Sequence, residues 1–181
     1  MDEFVRMIFI AEIQAQCKIV LRAASAIEGA LQQYHTDANE IVWMGVQTLV
    51  GAAANISKML WGSAGKKAQD RETLRMRLGV TEDSPLKDPA IRNDIEHFDE
   101  RLEAWFAGGG RNYVGRNIGP AQAINIEGEE LNSRFQSFDP ETGLVSFLAN
   151  AVDLSLLTAE AARILRASGD SWRLHSLRAL E

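Results

Sequence analysis

The chain has 181 residues, 46% of them hydrophobic and 24% charged, which suits one globular domain with a sizeable core. Its net charge of -6 excludes a general attraction to nucleic acid or anionic lipid, so RNA could be held only by a local basic patch. The single cysteine, Cys17, excludes an internal disulfide and a thiolate metal site, and favours a reducing compartment.

The opening MDEFVRMIFIAEIQAQ carries acidic residues where a signal peptide would carry basic ones, and Glu12 and Gln14 break its apolar run. No apolar run reaches the roughly 18 residues a membrane span needs, so a cytoplasmic protein without membrane association is expected. Three- and four-residue steps between Val5, Phe9, Ile13, Val20, Ala24, Ile27 and Leu31 predict a helix over about 3–34, with Asp2 as its N-cap. After the turn YHTDANE, a second helix is expected over about 38–61. Its core face is read as Ile41, Met44, Leu49, Ala53, Ile56 and Leu60, with the small run GAAAN (51–55) admitting a close neighbour.

A short helix over about 68–78 should end at Gly79, a suitable C′ residue. Asp88 and Pro89 then form a favoured helix start, and the triple glycine at 108–110 a stop, which predicts a helix over about 89–106. Beyond residue 110 the character changes to glycines and short β-type runs. SRFQSFDPETGLVSFL predicts a hairpin turning at 139–143, and Asp153 is placed to cap a C-terminal helix over about 153–168. The expected architecture is a single, mainly α (α+β) domain: a helical bundle core over 1–107, a small antiparallel β-rich segment over 111–148, and the final helix.

The stretch DPAIRNDIEHFDERLEAW (88–105) poses the functional question. On a straight helix Ile91, Ile95, Phe98, Leu102, Trp105 and Phe106 share an apolar face that should pack into the bundle. Arg92 and His97 fall roughly 140° apart on the opposite, polar face with Asn93, Glu96 and Glu100. A surface helix laced by i, i+4 charge pairs explains such a face without any ligand.

RNDIEH (92–97) resembles the Arg-x4-6-His signature of HEPN domains, in which the residue after Arg is usually polar and often Asn. The resemblance implies an α-helical bundle that dimerises so that two signatures face one another across a composite cleft. It implies a metal-independent ribonuclease, in some relatives a toxin neutralised by an antitoxin, with Arg92 and His97 as the catalytic pair and Asn93 in support. The residue types suit that chemistry. Attack of an RNA 2′-OH on the adjacent phosphate needs a proton-moving group near neutral pH, which imidazole offers, and a fixed planar cation for the transition-state charge. The family also includes members without nuclease activity. A non-catalytic interaction or nucleotide-binding module acting through the same polar helix face therefore remains the second reading. The neighbouring Asp94, Glu96, Asp99 and Glu100 bear on the choice, since Glu96 could orient His97 or hold Arg92 back from RNA.

Other candidates carry less. GGGRNYVGRN has glycines at Walker A spacing, but Arg116 and Asn117 stand where Lys and Ser or Thr belong, and it follows a helix rather than a strand. Arg111 and Arg116 are kept as phosphate contacts, and with Glu96 as residues that bind or tune. No His, Cys, Asp and Glu set has metal-ligand spacing, so neither metal nor cofactor is expected. RNA as substrate, a second copy and a protein such as an antitoxin are the expected partners, and DNA is not expected. Cys17 and the tryptophans 43, 61, 105 and 172 read as packing residues; His35 and His175 receive no role.

Overall fold

The computed structural model describes residues 2–32, 37–62, 69–87, 93, 96–111, 113–120, 136–148 and 150–169. Two long helices set the frame, α1 (Glu3–Gln32) and α2 (Ala38–Trp61). The Asp2 carboxylate accepts the Phe4 and Val5 amides at 2.9 and 3.4 Å, which satisfies two of the first-turn donors of α1. The buried stripe of α1 is Ile13, Cys17, Val20, Ala23, Ile27 and Ala30. Val5 and Leu31, expected in that stripe, are each 41% exposed, with Val5 in the first turns and Leu31 in the last. With 30 residues against 24, α1 is about 9 Å longer than α2, so part of it cannot be covered by that neighbour.

On α2 the core face also differs from the expected one. Met44 is 63% exposed and Ile41 half-buried, while Val42, Trp43, Val46, Leu49 and Val50 are buried. The stripe is wider than one helical face because α1 and the last helix both pack on it. One close approach of α1 and α2 falls at Gly45, where a Cβ would lie 2.5 Å from Ile27 Cγ1, while Gly51 of the GAAAN run faces open space. The alanines 52, 53 and 54 are buried all the same.

The short α3 (Glu72–Leu78) ends in a left-handed Gly79 at φ 61°, whose amide and that of Val80 close back on the carbonyls of Met76 and Arg75. Two arginines beside this helix finish α2. Arg71 donates to Met59 O at 2.7 Å and Arg75 to Leu60 O at 2.8 Å, placing guanidiniums where the terminal carbonyls lack intrahelical donors. Arg75 also meets Glu82 at 3.2 Å, which is in turn bound by Lys87 at 2.9 Å, so the 80–87 segment is tied to the end of α2.

The helix expected over 89–106 is described from Phe98 to Ala107 as α4, with Asn93 and Glu96 also helical. Residues 88–92, 94 and 95, including Arg92, Ile91 and Ile95, lie outside the described residues. His97 itself departs from helical geometry, at φ -106° and ψ 37°. Its amide still donates to Asn93 O at 2.9 Å and its carbonyl accepts from Arg101 at 3.0 Å, so the hydrogen-bond ladder crosses a kink. Asn93, Asp94, His97 and Asp99 come from the weak end of helix propensity, which explains an irregularity here.

The β region is a four-stranded sheet in chain order: β1 (Asn117–Ile118), β2 (Gln136–Asp139), β3 (Leu144–Phe147) and β4 (Asn150–Asp153). The expected hairpin is β2–β3, with Gln136 opposite Phe147 and Asp139 opposite Leu144. Its turn is closed by Gly143 N to Asp139 O at 2.8 Å, and the Asp139 carboxylate accepts from Glu141 N and Thr142 Oγ1. The sheet is nevertheless mixed rather than antiparallel, because β1 pairs parallel with β2, Asn117 with Ser137 and Ile118 with Phe138. A pairing of two residues across a chain separation of about twenty leaves no local pattern in the sequence.

The last strand runs straight into α5 (Leu154–Ala167), whose N-cap Asp153 accepts the Ser155 and Leu156 amides at 2.7 and 3.2 Å. Leu154, Leu157, Ala161, Ile164 and Leu165 of α5 are buried with the stripes of α1 and α2, and Phe138, Val145 and Phe147 of the sheet join the same core. α5 and the sheet thus share the core that was expected within residues 1–107. α4 has no fully buried residue: Phe98, Leu102 and Trp105 are only half-buried against the core, and Phe106 is 59% exposed.

Candidate functional site

α4 is amphipathic, and its apolar side packs against the sheet and the core. The Phe98 ring meets Phe147 of β3 edge-on, with centroids 6.1 Å apart at 81°. One helix length further on, Trp105 and Tyr113 make a second edge contact at 6.5 Å. A Cβ at Gly110 would lie 2.1 Å from the Trp105 ring, and one at Gly115 would lie 2.2 Å from the Tyr113 hydroxyl. These two glycines of GGGRNYVGRN therefore sit beneath aromatic rings, a packing reason for the glycine spacing.

The other side of the helix is polar. Asn93, Glu96, His97, Asp99, Glu100 and Glu103 are all exposed. The His97 ring is 52% exposed, and its Nδ1 lies 3.4 Å from Glu100 Oε1. Glu100 stands one turn away on the same face, the i, i+3 relation of a helical surface pair. Glu96, the residue expected to orient His97 or to hold Arg92 back, is exposed on the same face.

Arg111 does not join this cluster. Arg111 lies beyond the far end of α4, about 15 Å from His97 along the helix axis. There its guanidinium covers the Phe106 ring at 4.6 Å and donates to the carbonyls of Phe106 and Gly110 at 3.2 and 2.7 Å. That is the position of a cation closing a helix C-terminus. Arg116, in the left-handed region at φ 55°, offers its carbonyl to Asn39 Nδ2 at 3.5 Å, beside the start of α2.

Among the described residues, no group of three His, Cys, Asp or Glu side chains could hold a metal ion. Nor is any described helix long and apolar enough to cross a membrane. Cys17 is buried in the core; burial, with Glu160 nearby, pushes its thiol up to about 12, the condition of an unreactive packing residue.

Two features escaped the sequence reading. One is a half-buried polar network on α5, in which Glu160 takes both Nε and Nη2 of Arg163 at 2.7 and 2.8 Å and the hydroxyl of Ser84 at 3.0 Å. The other is a half-open cavity of about 490 Å³ between α1, the β2–β3 turn and the start of α5. No family model matches the chain, and neither does any curated protein or solved structure.

Proposed function

We propose that this protein is a HEPN-like ribonuclease that cleaves RNA without a metal ion, as a homodimer with its composite site on the polar face of the α4 region. In this reading the substrate 2′-OH attacks the neighbouring phosphate. His97 moves the proton, Arg92 neutralises the transition-state charge, and Asn93 orients the phosphate or the ring. The second copy supplies the acid that complements the base. The observation that carries the reading is the His97 side chain, exposed at the head of α4 with Nδ1 turned to Glu100, while Phe98, Leu102 and Trp105 turn to the core. In this reading the other ring nitrogen takes the proton of the substrate hydroxyl.

The test is cleavage of a broad RNA panel in EDTA by wild type, His97→Ala and Arg92→Ala. Wild type should release products ending in a 2′,3′-cyclic phosphate and leave 2′-O-methyl RNA intact. Each variant should lose roughly a hundredfold or more of the rate while keeping the wild-type melting curve. A wild-type protein inert towards every RNA would sink the proposal.

The second reading is a non-catalytic module whose partner binds the same face. Glu96, Asp99, Glu100 and Glu103 stand exposed there, on a chain of net charge -6. Such a face repels RNA and suits a basic protein surface. Capture of a basic partner that His97→Ala and Glu100→Lys both weaken, without RNA cleavage, would favour it.

A further inference from the structure

The cavity between α1, the β2–β3 turn and α5 lies apart from α4 and is independent of the ribonuclease reading. It exists because both helices place alanines where they face one another: Ala24 on α1, Ala159 and Ala162 on α5. The space these small side chains leave has a dry floor of Ile27, Leu49, Phe138 and Leu154, each at most 5% exposed. A volume of about 490 Å³ is that of a small-molecule site.

The polar groups at its edge share one property. Glu28 and Glu141 are the charged residues of the lining, and no lysine or arginine lines the space among the described residues. The three lining hydroxyls have already given up their protons. Thr142 Oγ1 donates to Asp139, Thr158 Oγ1 to Leu154 O, and Ser155 Oγ to Asp153. Four of the turn and helix-start amides are committed too: Glu141 N to Asp139, Gly143 N to Asp139 O, Leu154 N to Gly143 O and Ser155 N to Asp153. Pro140 has none. What these side chains and amides can offer a ligand is lone pairs and negative charge above an apolar floor.

We infer that this cavity is a binding site for a small amphipathic amine, its hydrocarbon body on Ile27, Leu49 and Phe138 and its ammonium between Glu28 and Glu141. A phosphate- or carboxylate-bearing ligand would meet two acidic residues and no lysine or arginine. A nucleotide is therefore not the occupant.

The experiment titrates the full chain with 4-phenylbutylamine, 4-phenylbutanol and 4-phenylbutanoate, read by the methyl NMR signals of Ile27, Leu31, Leu49 and Leu154. The amine should bind roughly fivefold more tightly than the alcohol, as expected for exposed ion pairs, and the butanoate should bind least. Glu28→Gln combined with Glu141→Gln should erase the preference for the amine and leave alcohol binding in place. Ala159→Trp, at an exposed position on the cavity wall, should abolish binding of both with an unchanged melting curve. Butanoate binding as tightly as the amine, or undiminished amine binding in Ala159→Trp, would overturn the inference. So would amine-induced shifts spread evenly over the protein.

Discussion

His97 Nδ1 lies 3.4 Å from Glu100 Oε1, three residues on, at the point where the helix kinks. On the ribonuclease reading this carboxylate positions the ring, while Glu96 acts only through its charge. The two glutamates should then separate kinetically. Glu96→Gln should lower KM for RNA, because one repulsive charge is gone, and leave kcat unchanged. Glu100→Gln should lower KM likewise but also reduce kcat, by roughly two- to fivefold, since both partners are exposed and their pairing is weak. A rise in kcat for Glu100→Gln would show that its carboxylate restrains His97 and does not orient it.

Gly45 and Gly51 lie on the same helix and should respond to alanine with opposite sign. At either position alanine gains about 1 kcal/mol of helix propensity over glycine. At Gly51, where a new Cβ meets nothing within 4 Å, that gain should appear as higher stability in urea titration. At Gly45 the Cβ would stand 2.5 Å from Cγ1 of the buried Ile27, which would have to shift. Overpacking of this kind costs about 1–3 kcal/mol, so Gly45→Ala should be the less stable variant. Equal stabilisation of both would mean that α1 and α2 are not held at this separation.

This pair also marks the limit of what the chain discloses by itself. The expected hairpin, the Asp153 cap and the ends of α2 and α5 were legible because they depend on neighbours in sequence: turn chemistry, a capping oxygen, a stop glycine. The close approach at Gly45 depends on Ile27 of another helix, which nothing around Gly45 in the sequence discloses. Likewise the core share of α5 and the parallel β1–β2 pairing are set by contacts distant along the chain. At the candidate site, Arg92, Asn93 and His97 stood out through spacing. The partnership of His97 with Glu100 is an i, i+3 contact of the kind a helical wheel already places on one face, so it was legible too. The cavity was not: Ala24 and Ala159 mean nothing until two helices bring them together.

Cys17 offers a direct check on the core. Burial, reinforced by the negative charge of Glu160, pushes its thiol up to about 12, so at pH 8 the native protein holds it neutral and enclosed. An unfolded chain ionises at about 8.5. Ellman's reagent at pH 8 should therefore label native protein only at the rate of unfolding, and denatured protein at once. The sign for stability follows. The folded value is the higher one, so this contribution is complete below about pH 8.5 and is lost progressively as pH rises towards the folded value. Rapid labelling of the native state would contradict the packing of α1 against α2 and α5.

Glu160 should govern the acid side in the opposite sense. Hydrogen bonds from Arg163 are the main cause that holds its carboxyl below the usual glutamate range; burial opposes them and the Ser84 hydroxyl assists. Here the folded value is the lower one. Its contribution is present above the unfolded value of about 4.3 and is lost as pH falls through the folded value beneath it. Glu160→Gln keeps the size of the side chain but removes the charge that fixes both Arg163 and Ser84. The Arg163 side chain is 37% exposed, so solvent screens much of the attraction, and the loss at pH 7 should be about 1–2 kcal/mol. Urea titrations of wild type and variant should keep a constant separation from pH 7 down to about 5 and converge below about pH 4.3. A separation that persists unchanged at pH 3 would assign the effect to lost packing between α5 and the 79–87 segment, and not to the carboxylate's charge.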